Sequence, residues 1–587
     1  MNTFVSVLAI VVGVVCGSPE GHRLESLPGI TFTPNFKQYS GYLNRTNGDS
    51  LHYWLIESQS DDPSSDPLVL WLPSGRGCSV LRSVLQGNGP FRLNYEGDLM
   101  VENVYSYNKM ANMLYLEVPA GVGYSMTNNT DDMKPITDYM VIEAVMEGLV
   151  KFVSMYPEYR KRDLYLGGES YSTVQVAALA SRMTSDKTKF PNFKGLMMGS
   201  GLLDQKMNVN SMVQAARTSG LVDSADLKKL DEACCKDSKN DCDYEFEVAF
   251  SDACKDNLQK LLIDLLTVGL DPMDVQQDCY SHDAQTLNLI NALLPTINIT
   301  KDDYMIFRKA EETCDRNSTL LEKYLKRQDV REALHVTDFD GEPKMCNDQV
   351  AFMKDSNIHV VDINVESVLM EDKQRVLLYN GQRDLMSNPS LAESFVQSLS
   401  PAPEQLKGKQ RWSVKGKMTG FWTAYKNLDV LTLQNAGHFV SENELPASLQ
   451  MFVNFLRAKD YYTPTGLPTT PQPCQDNYCR TNLNMSTSIM PSTSISQTPT
   501  GSSPTGSSPT GSTGSSSSGS STTGPTGSTP TGSTGKRTTG THSPKTTTRP
   551  GTVKTTTGRL HTTTSFASGL KPVAAIVLSV VAALLML

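Results

Sequence analysis

The chain has 587 residues, a formal net charge of −9 and a hydrophobic fraction of 39%. An acidic chain with no basic stripe outside its C-terminal low-complexity segment is not expected to bind nucleic acid. The sequence contains neither a phosphate-cradling glycine loop nor cysteines and histidines at metal-binding spacing, so we expect no cofactor and no metal.

The first element in the chain has the pattern of a secretory signal peptide, residues 1–18. An apolar run over residues 4–15 is followed by small residues, with cleavage expected near Gly17 or Ser18. Cleavage would remove Cys16 and leave ten of the 11 cysteines. An even number behind a signal peptide predicts disulfides in the secretory pathway. We expect an extracellular or cell-surface protein, with the lysosome as the alternative.

The first candidate catalytic residue is Ser170, in the turn GESYS between a predicted buried strand, residues 163–167, and a helix that starts at Ser172. A nucleophilic serine on a strained strand-to-helix turn needs small neighbours, and the helix N-terminus directs N–H groups at an oxyanion beside it. Ser172 stands where the usual G-x-S-x-G motif has its last glycine. Taken alone, the segment is more readily explained as an ordinary strand-turn-helix with a capping serine.

Two further segments repeat this architecture. A predicted strand at 376–379 precedes a polar turn with Asp384, and one at 428–433 precedes a glycine-containing loop with His438. A lone aspartate in such a turn is usually turn chemistry, and most histidines are not catalytic. However, the order Ser, Asp, His, each after a strand, is that of α/β-hydrolases, so we predict a catalytic triad of these three residues.

The C-terminal part changes composition. Residues 463–485 form a connector with Cys474 and Cys479, and residues 486–564 are rich in Ser, Thr, Gly and Pro, which predicts a disordered, O-glycosylated stalk. Residues 565–587 begin with small residues and end in an apolar run that resembles a signal for a GPI anchor. A short membrane tail anchor is the alternative.

Short sequons fit the same compartment. We expect N-glycosylation at Asn44, Asn128, Asn298, Asn317 and Asn484.

Several stretches between residues 41 and 456 resemble one known family. They are GYL at Gly41, LHYWLIESQ at Leu51, LVLWLPSGRGCS at Leu68, NGPF at Asn88, NMLYLEVPAGVGYS at Asn112, GGESY at Gly167, VREALHV at Val330, YNGQRD at Tyr379 and NAGHFV at Asn435. The chain is similar to the serine carboxypeptidases, and among them to the cathepsin A-like members. The resemblance implies an α/β-hydrolase domain over residues 24–462, with a mixed, mostly parallel sheet flanked by helices. A disulfide-bonded helical cap would be inserted at about 203–330.

The resemblance also implies roles for individual residues. Ser170 would be the nucleophile, His438 the general base and acid, and Asp384 the group that orients the imidazole. The backbone N–H groups of Gly75 and Tyr171 would form the oxyanion hole. The implied disulfides are Cys78–Cys346, Cys234–Cys254, Cys235–Cys242 and Cys279–Cys314, which leaves Cys474 and Cys479 to close a small loop.

The sequence departs from the family where the family binds the substrate's terminal carboxylate. Pro73 replaces an asparagine, and Gly87 replaces a glutamate, so of the usual set only Glu169 remains. Arg76 replaces a proline, and its guanidinium is suited to bind a carboxylate at two points. We hypothesise that Arg76 compensates for the lost amide; a solvent-facing loop arginine is the alternative.

Three functions remain open at this stage. The first is a surface-anchored hydrolase that removes C-terminal residues from peptide substrates, a homodimer by analogy with some family members. The second is an esterase or acyltransferase of the same fold, for which the triad suffices. The third is a non-catalytic surface protein, favoured by the altered loop at Pro73 and Arg76.

Overall fold

The computed structural model describes residues 19–128, 136–235, 242–267, 269–278, 316–347, 360–475 and 479. These residues all belong to the first of the two units, Met1–Ile495 and Ser496–Leu587, into which the chain divides. The predicted signal peptide, stalk and C-terminal tail lie outside the described residues, as do Asn298, Asn484 and the Cys279–Cys314 pair. Among the residues described, none of the helices is both long enough and apolar enough to cross a bilayer.

A ten-stranded sheet forms the centre of the fold, in the order β1-β2-β6-β3-β7-β8-β11-β14-β13-β12. The strands, including two separate hairpins, are β1 Gln38–Asn44, β2 Ser50–Ile56, β3 Leu68–Trp71, β4 Phe91–Leu93, β5 Met100–Glu102, β6 Asn112–Leu116, β7 Leu164–Glu169, β8 Phe193–Gly199, β9 Leu270–Asp271, β10 Asp274–Asp278, β11 Arg375–Gly381, β12 Gln405–Val414, β13 Lys417–Tyr425 and β14 Leu428–Leu433. The run from β6 to β14 is parallel, whereas both edges of the sheet are antiparallel.

Helices cover both faces of the sheet. They are α1 Leu81–Leu85, α2 Asp138–Met155, α3 Ser172–Ser185, α4 Gln205–Ser219, α5 Ser224–Cys234, α6 Tyr244–Glu247, α7 Asp252–Thr267, α8 Arg316–Leu325, α9 Gln328–Ala333, α10 Val361–Leu369, α11 Pro389–Ser398, α12 Val440–Asn443 and α13 Leu445–Leu456. The predicted architecture, a mixed and mostly parallel sheet flanked by helices, is confirmed.

Two hydrophobic cores lie on opposite faces of this sheet, because successive side chains of a strand point to opposite sides. In β11, Val376 and Leu378 belong to the core that also contains α2, α3 and α10 residues. Leu377 and Tyr379 belong to the other core, with α1 and α13 residues. Burial on both faces explains why the central strands read as continuous apolar runs.

The cap follows β8 and contains α4 to α7 and the β9–β10 hairpin. Two disulfides, Cys234–Cys254 and Cys235–Cys242, tie α5 to the segment around α6 and to α7. The structure also forms Cys78–Cys346 and the short loop Cys474–Cys479. These four pairs coincide with those expected from the resemblance and from the two remaining cysteines. The hairpin was not predicted from the sequence.

Candidate active site

Ser170, Asp384 and His438 follow three strands that run in the same direction. β7 ends at Glu169, β11 ends at Gly381 and β14 ends at Leu433, and these strands are joined through β8 by parallel pairing. The carboxyl ends of parallel strands meet at one edge of the sheet, which is where ligands bind in open α/β sheets. The sheet therefore places all three residues on one edge.

The turn at Ser170 has the strained geometry expected of a nucleophile elbow. The serine has φ of 61°, in the left-handed region that residues other than glycine rarely adopt. Its N–H donates to the Gly199 carbonyl at 2.9 Å, and the Ser172 hydroxyl donates to the Glu169 carbonyl at 2.8 Å. A Cβ atom on Gly168 would lie 2.2 Å from the Ser172 oxygen, so only glycine fits there.

His438 and Asp384 form a buried hydrogen-bonded pair, with 2.7 Å between the histidine Nδ1 and the aspartate Oδ2. The other aspartate oxygen accepts the N–H groups of Met386 at 2.9 Å and Ser387 at 3.1 Å, which fixes the carboxylate. The histidine Nε2 is buried and has no hydrogen-bond partner within the described part of the chain. This leaves the Nε2 atom available to take a proton from a nucleophile.

The β9–β10 hairpin of the cap forms backbone hydrogen bonds with the two loops that carry Asp384 and His438. The Met273 carbonyl accepts the His438 N–H at 2.7 Å, and the Pro272 carbonyl accepts the Leu385 N–H at 3.0 Å. A Cβ atom on Gly437 would lie 2.5 Å from the Met273 oxygen, which explains the glycine before the histidine. Sequence reasoning missed these contacts, because backbone carbonyls carry no residue-specific signal.

Several titratable groups near His438 have shifted pKa values. Burial tends to lower the pKa of His438, but the charge and hydrogen bond of Asp384 outweigh it, so the pKa is raised. Burial, assisted by the charge of Asp274, raises the pKa of Asp271 to about 6. Burial and the charge of Glu442 raise the pKa of Glu169 to about 7, against the hydrogen bond that the Tyr379 hydroxyl donates to it at 3.1 Å. Sequence reasoning did not identify Asp271.

The two N–H groups expected to form the oxyanion hole do not converge. The Tyr171 N–H donates to the Ser74 carbonyl oxygen at 3.0 Å. Ser74 and Gly75 share one peptide unit, and in a trans peptide the C=O and N–H point in opposite directions. The Gly75 N–H therefore points away from the Tyr171 N–H, and one donor of the expected hole is occupied by the protein itself.

Arg76 is almost buried, with a side-chain exposure of 8%, and faces Asp138, with 1%. Its guanidinium lies 4.3 Å from the centre of the Tyr171 ring and donates to the Tyr171 hydroxyl. That hydroxyl donates to the Asp138 Oδ2 at 2.7 Å. Asp138 is the first residue of α2, a helix that Thr137 caps by accepting the Met140 N–H at 3.3 Å. Arg76 is therefore held by an internal carboxylate.

The remaining predicted residues have simpler surroundings. A Cβ atom on Gly87 would lie 3.2 Å from the Ser441 hydroxyl oxygen, so the position is closely packed.

The predicted glycosylation sites lie at the surface where the structure describes their side chains. Asn44 and Asn128 are exposed, as glycosylation requires, and Asn317 lies on α8. Within the ranges that the structure describes, no group of three or more His, Cys, Asp or Glu residues is arranged to hold a metal ion.

The sequence matches the family model described as serine carboxypeptidase over residues 28–458. The chain belongs to the serine carboxypeptidase family. It is similar to "Serine carboxypeptidase ctsa-4.1" of Caenorhabditis elegans, with 35% identity over 470 residues that cover 77% of this chain and 96% of the relative. It is also similar to the "Lysosomal protective protein" of Mus musculus, with 30% identity over 463 residues that cover 76% and 95%.

Among solved structures, this serine carboxypeptidase is similar in fold to Kex1Δp, a prohormone-processing carboxypeptidase from Saccharomyces cerevisiae. The TM-score is 0.62 and the identity 20%, and the match covers 75% of this chain and 96% of the other. At this identity the likeness shows the fold alone. By family, the chain is a hydrolase of the serine carboxypeptidase type.

Proposed function

We propose that this chain hydrolyses C-terminal peptide bonds through Ser170, His438 and Asp384. The observation that carries the proposal is the buried His438–Asp384 pair, in which the His438 Nε2 atom has no hydrogen-bond partner in the described part of the chain; Ser170, at φ of 61°, follows a strand of the same parallel run. In a triad, the carboxylate fixes the imidazole tautomer and the free nitrogen acts on the serine. The family membership supports the same chemistry.

The reaction proceeds in two steps. The Ser170 oxygen attacks the scissile carbonyl carbon while its proton passes to the His438 Nε2, and that proton then goes to the leaving amine. The product of this step is an acyl-enzyme. Water, deprotonated by His438, attacks the ester and releases Ser170. Asp384 stabilises the imidazolium form of His438 in both steps.

Recognition of the substrate's terminal carboxylate is assigned to Glu169, on the basis of its position before the nucleophile. With a pKa of about 7, the Glu169 carboxyl is protonated in acid and can donate a hydrogen bond to a carboxylate. Arg76, the second candidate, already faces Asp138 at 4.0 Å, so a substrate carboxylate would have to compete with it.

An esterase or acyltransferase activity is the second candidate. The observation that favours it is Pro73, which offers neither a side-chain amide nor an N–H at the position where the family binds the carboxylate. A substrate without a terminal carboxylate would not need that contact.

We further propose that the protein enters the secretory pathway through residues 1–18 and is held at the cell surface by a GPI anchor that replaces the end of residues 565–587. The disulfides support an oxidising compartment, because such bonds persist mainly there.

The test is to incubate the full-length protein, wild type and Ser170→Ala, with an N-blocked peptide, its C-terminal amide and a matched ester. Release of the C-terminal amino acid from the free-acid peptide by wild type alone supports the carboxypeptidase. Cleavage of the ester alone supports the second candidate. If wild type cleaves none of the three substrates, both the carboxypeptidase and the esterase or acyltransferase proposals are contradicted.

A further inference from the structure

We propose that Arg76 is a positioning residue that holds the Ser74–Gly75 peptide in a closed orientation. In this orientation the Ser74 carbonyl oxygen accepts the Tyr171 N–H, which is one of the two N–H groups needed to stabilise the oxyanion of the reaction. The inference rests on the proposed function, because an oxyanion hole matters only if Ser170 attacks a carbonyl. It deepens that function, because it identifies the blocked oxyanion hole as the feature that limits the rate of attack by Ser170.

The closed orientation follows from a single hydrogen bond. The Tyr171 N–H, next to the nucleophile, is 3.0 Å from the Ser74 oxygen. A substrate oxygen that becomes negative at the same place must displace this carbonyl, because both are acceptors for one N–H. The second donor, the Gly75 N–H, can turn inward only if the whole Ser74–Gly75 peptide unit rotates, since the unit is planar.

Arg76 holds this peptide from the next residue in the chain. Its guanidinium stacks on the Tyr171 ring at 4.3 Å and donates to the Tyr171 hydroxyl, which in turn is bound to Asp138 at 2.7 Å. The Tyr171 side chain and its backbone N–H are thus both engaged by the 74–76 loop. Such a stacked, charge-assisted contact away from water is stronger than a surface pair.

The flanking residues restrict the loop further. Pro73 has a fixed φ angle, which limits the ways in which the loop could move away from Tyr171. On the other side, the Cys78 N–H closes a turn on the Gly75 carbonyl at 3.2 Å, and Cys78 is joined to Cys346. The loop that carries the Ser74–Gly75 peptide is therefore held against Tyr171 by the Arg76 side chain as well as by its own hydrogen bond, and loss of the Arg76 contact should let it withdraw from the Tyr171 N–H.

The expected consequence is slow acylation of an otherwise complete triad. Removal of one oxyanion donor from a serine hydrolase lowers kcat by about 10²–10³-fold. Release of the Arg76 contact should recover part of such a deficit. The gain would appear in kcat, because the donors act on the transition state and not on the bound substrate.

The test measures phosphonylation of Ser170 by a fluorophosphonate, in which the serine oxygen bonds to phosphorus, fluoride leaves and the proton passes to His438. The full-length proteins compared are wild type, Arg76→Ala, the double variant Arg76→Ala/Asp138→Asn and the control Arg160→Ala. The double variant removes both buried charges together, so that no carboxylate is left unpaired. Arg160 is an exposed arginine in a short helical turn, Pro157–Lys161.

We expect the labelling rate constant and the kcat on an ester to rise by about 10-fold or more in either Arg76 variant, with KM changed by less than about 2-fold and Arg160→Ala equal to wild type. Rates equal to or below wild type in folded variants would overturn the proposal. A crystal structure of the unliganded wild type in which the Tyr171 N–H is not bound to the Ser74 oxygen would overturn it without any variant.

The two proposals fail in different ways. Release of C-terminal amino acids by wild type, with no gain in the Arg76 variants, would leave the carboxypeptidase proposal standing and end this one. If wild type does not cleave the peptide and the Arg76 variants are phosphonylated faster at Ser170, the carboxypeptidase proposal fails and the proposal for Arg76 stands.

Discussion

His438 and Asp384 form a pair in which the Nδ1 and Oδ2 atoms are 2.7 Å apart and both side chains have 0% exposure. The loops that carry them follow β14 and β11, and both are tied to the cap hairpin by backbone hydrogen bonds. A buried hydrogen-bonded pair that includes a carboxylate is sensitive to the loss of one partner, because the other is then left unpaired away from water. The pair is therefore the part of the site where single substitutions are most informative.

Substitution Asp384→Asn keeps the shape of the side chain but allows the imidazole to adopt the wrong tautomer. We expect kcat on peptide and ester substrates to fall by about 10³–10⁴-fold, with little change in KM. Steady-state kinetics check this. The control is Asp429→Asn, a buried aspartate on β14 that pairs with Arg375 and the Trp422 indole N–H. Equal losses of kcat in the two variants would contradict a catalytic role for Asp384.

Glu169 makes stability depend on pH. Its pKa is raised from the usual 4.5 to about 7, first by burial and then by the charge of Glu442. The folded protein therefore keeps a proton that the unfolded chain releases above pH 4.5, so this contribution is fully present below pH 4.5 and is lost as the pH rises to about 7. A difference of roughly 2.5 pKa units corresponds to about 3 kcal/mol of unfolding free energy.

We expect the Glu169→Gln protein to lose less Tm between pH 4.5 and 7 than wild type, because the amide does not ionise. Calorimetric melts across this range measure the slope. Glu158→Gln, an exposed glutamate in the Pro157–Lys161 turn, is the matched control and should follow wild type. A Glu169→Gln slope equal to that of wild type would exclude the raised pKa.

The Cys78–Cys346 disulfide should stabilise the fold more than Cys474–Cys479 does. It joins residues 268 positions apart, whereas the second pair is separated by five. Loop-closure entropy predicts a loss of about 5 kcal/mol when the long loop is opened by serine substitutions, and about 2 kcal/mol for the short loop. Denaturant titration of the two double-serine variants measures both. A larger loss from the short loop would refute this explanation.

The mode of membrane attachment can be tested on cells that express the full chain. A phosphatidylinositol-specific phospholipase C is expected to release the protein into the medium if a GPI anchor has replaced the apolar tail. Replacement of the small residues at 567–569 by leucine should abolish the release, since attachment requires small residues. Retention after the lipase, with extraction only by detergent, would instead indicate a tail anchor.

Much of the fold could be predicted from local signals. The strand predicted at 428–433 is observed as Leu428–Leu433, and α3 begins at Ser172 as expected. Buried parallel strands are short apolar runs that end in glycine-rich turns, so both the strands and the positions of the candidate triad can be read from the sequence.

The contacts around Arg76 could not be predicted in this way. Arg76 and Tyr171 are 95 residues apart, and nothing near Asp138 in the sequence indicates that its carboxylate meets them. The β9–β10 hairpin was missed because Leu270–Asp278 is short, polar and lacks alternation. Its role depends on backbone carbonyls that reach His438, and only the tertiary fold reveals it.

The central claim is tested most directly by mass spectrometry of the protein after complete reaction with a fluorophosphonate, which forms a stable adduct with an activated serine. Wild type should carry the mass of one phosphonyl group on the peptide that contains Ser170 and lose its activity, and Ser170→Ala should carry none. Inactivation with the phosphonyl group on another residue, or peptide and ester turnover by Ser170→Ala at the wild-type rate, would contradict the assignment of Ser170 as the nucleophile.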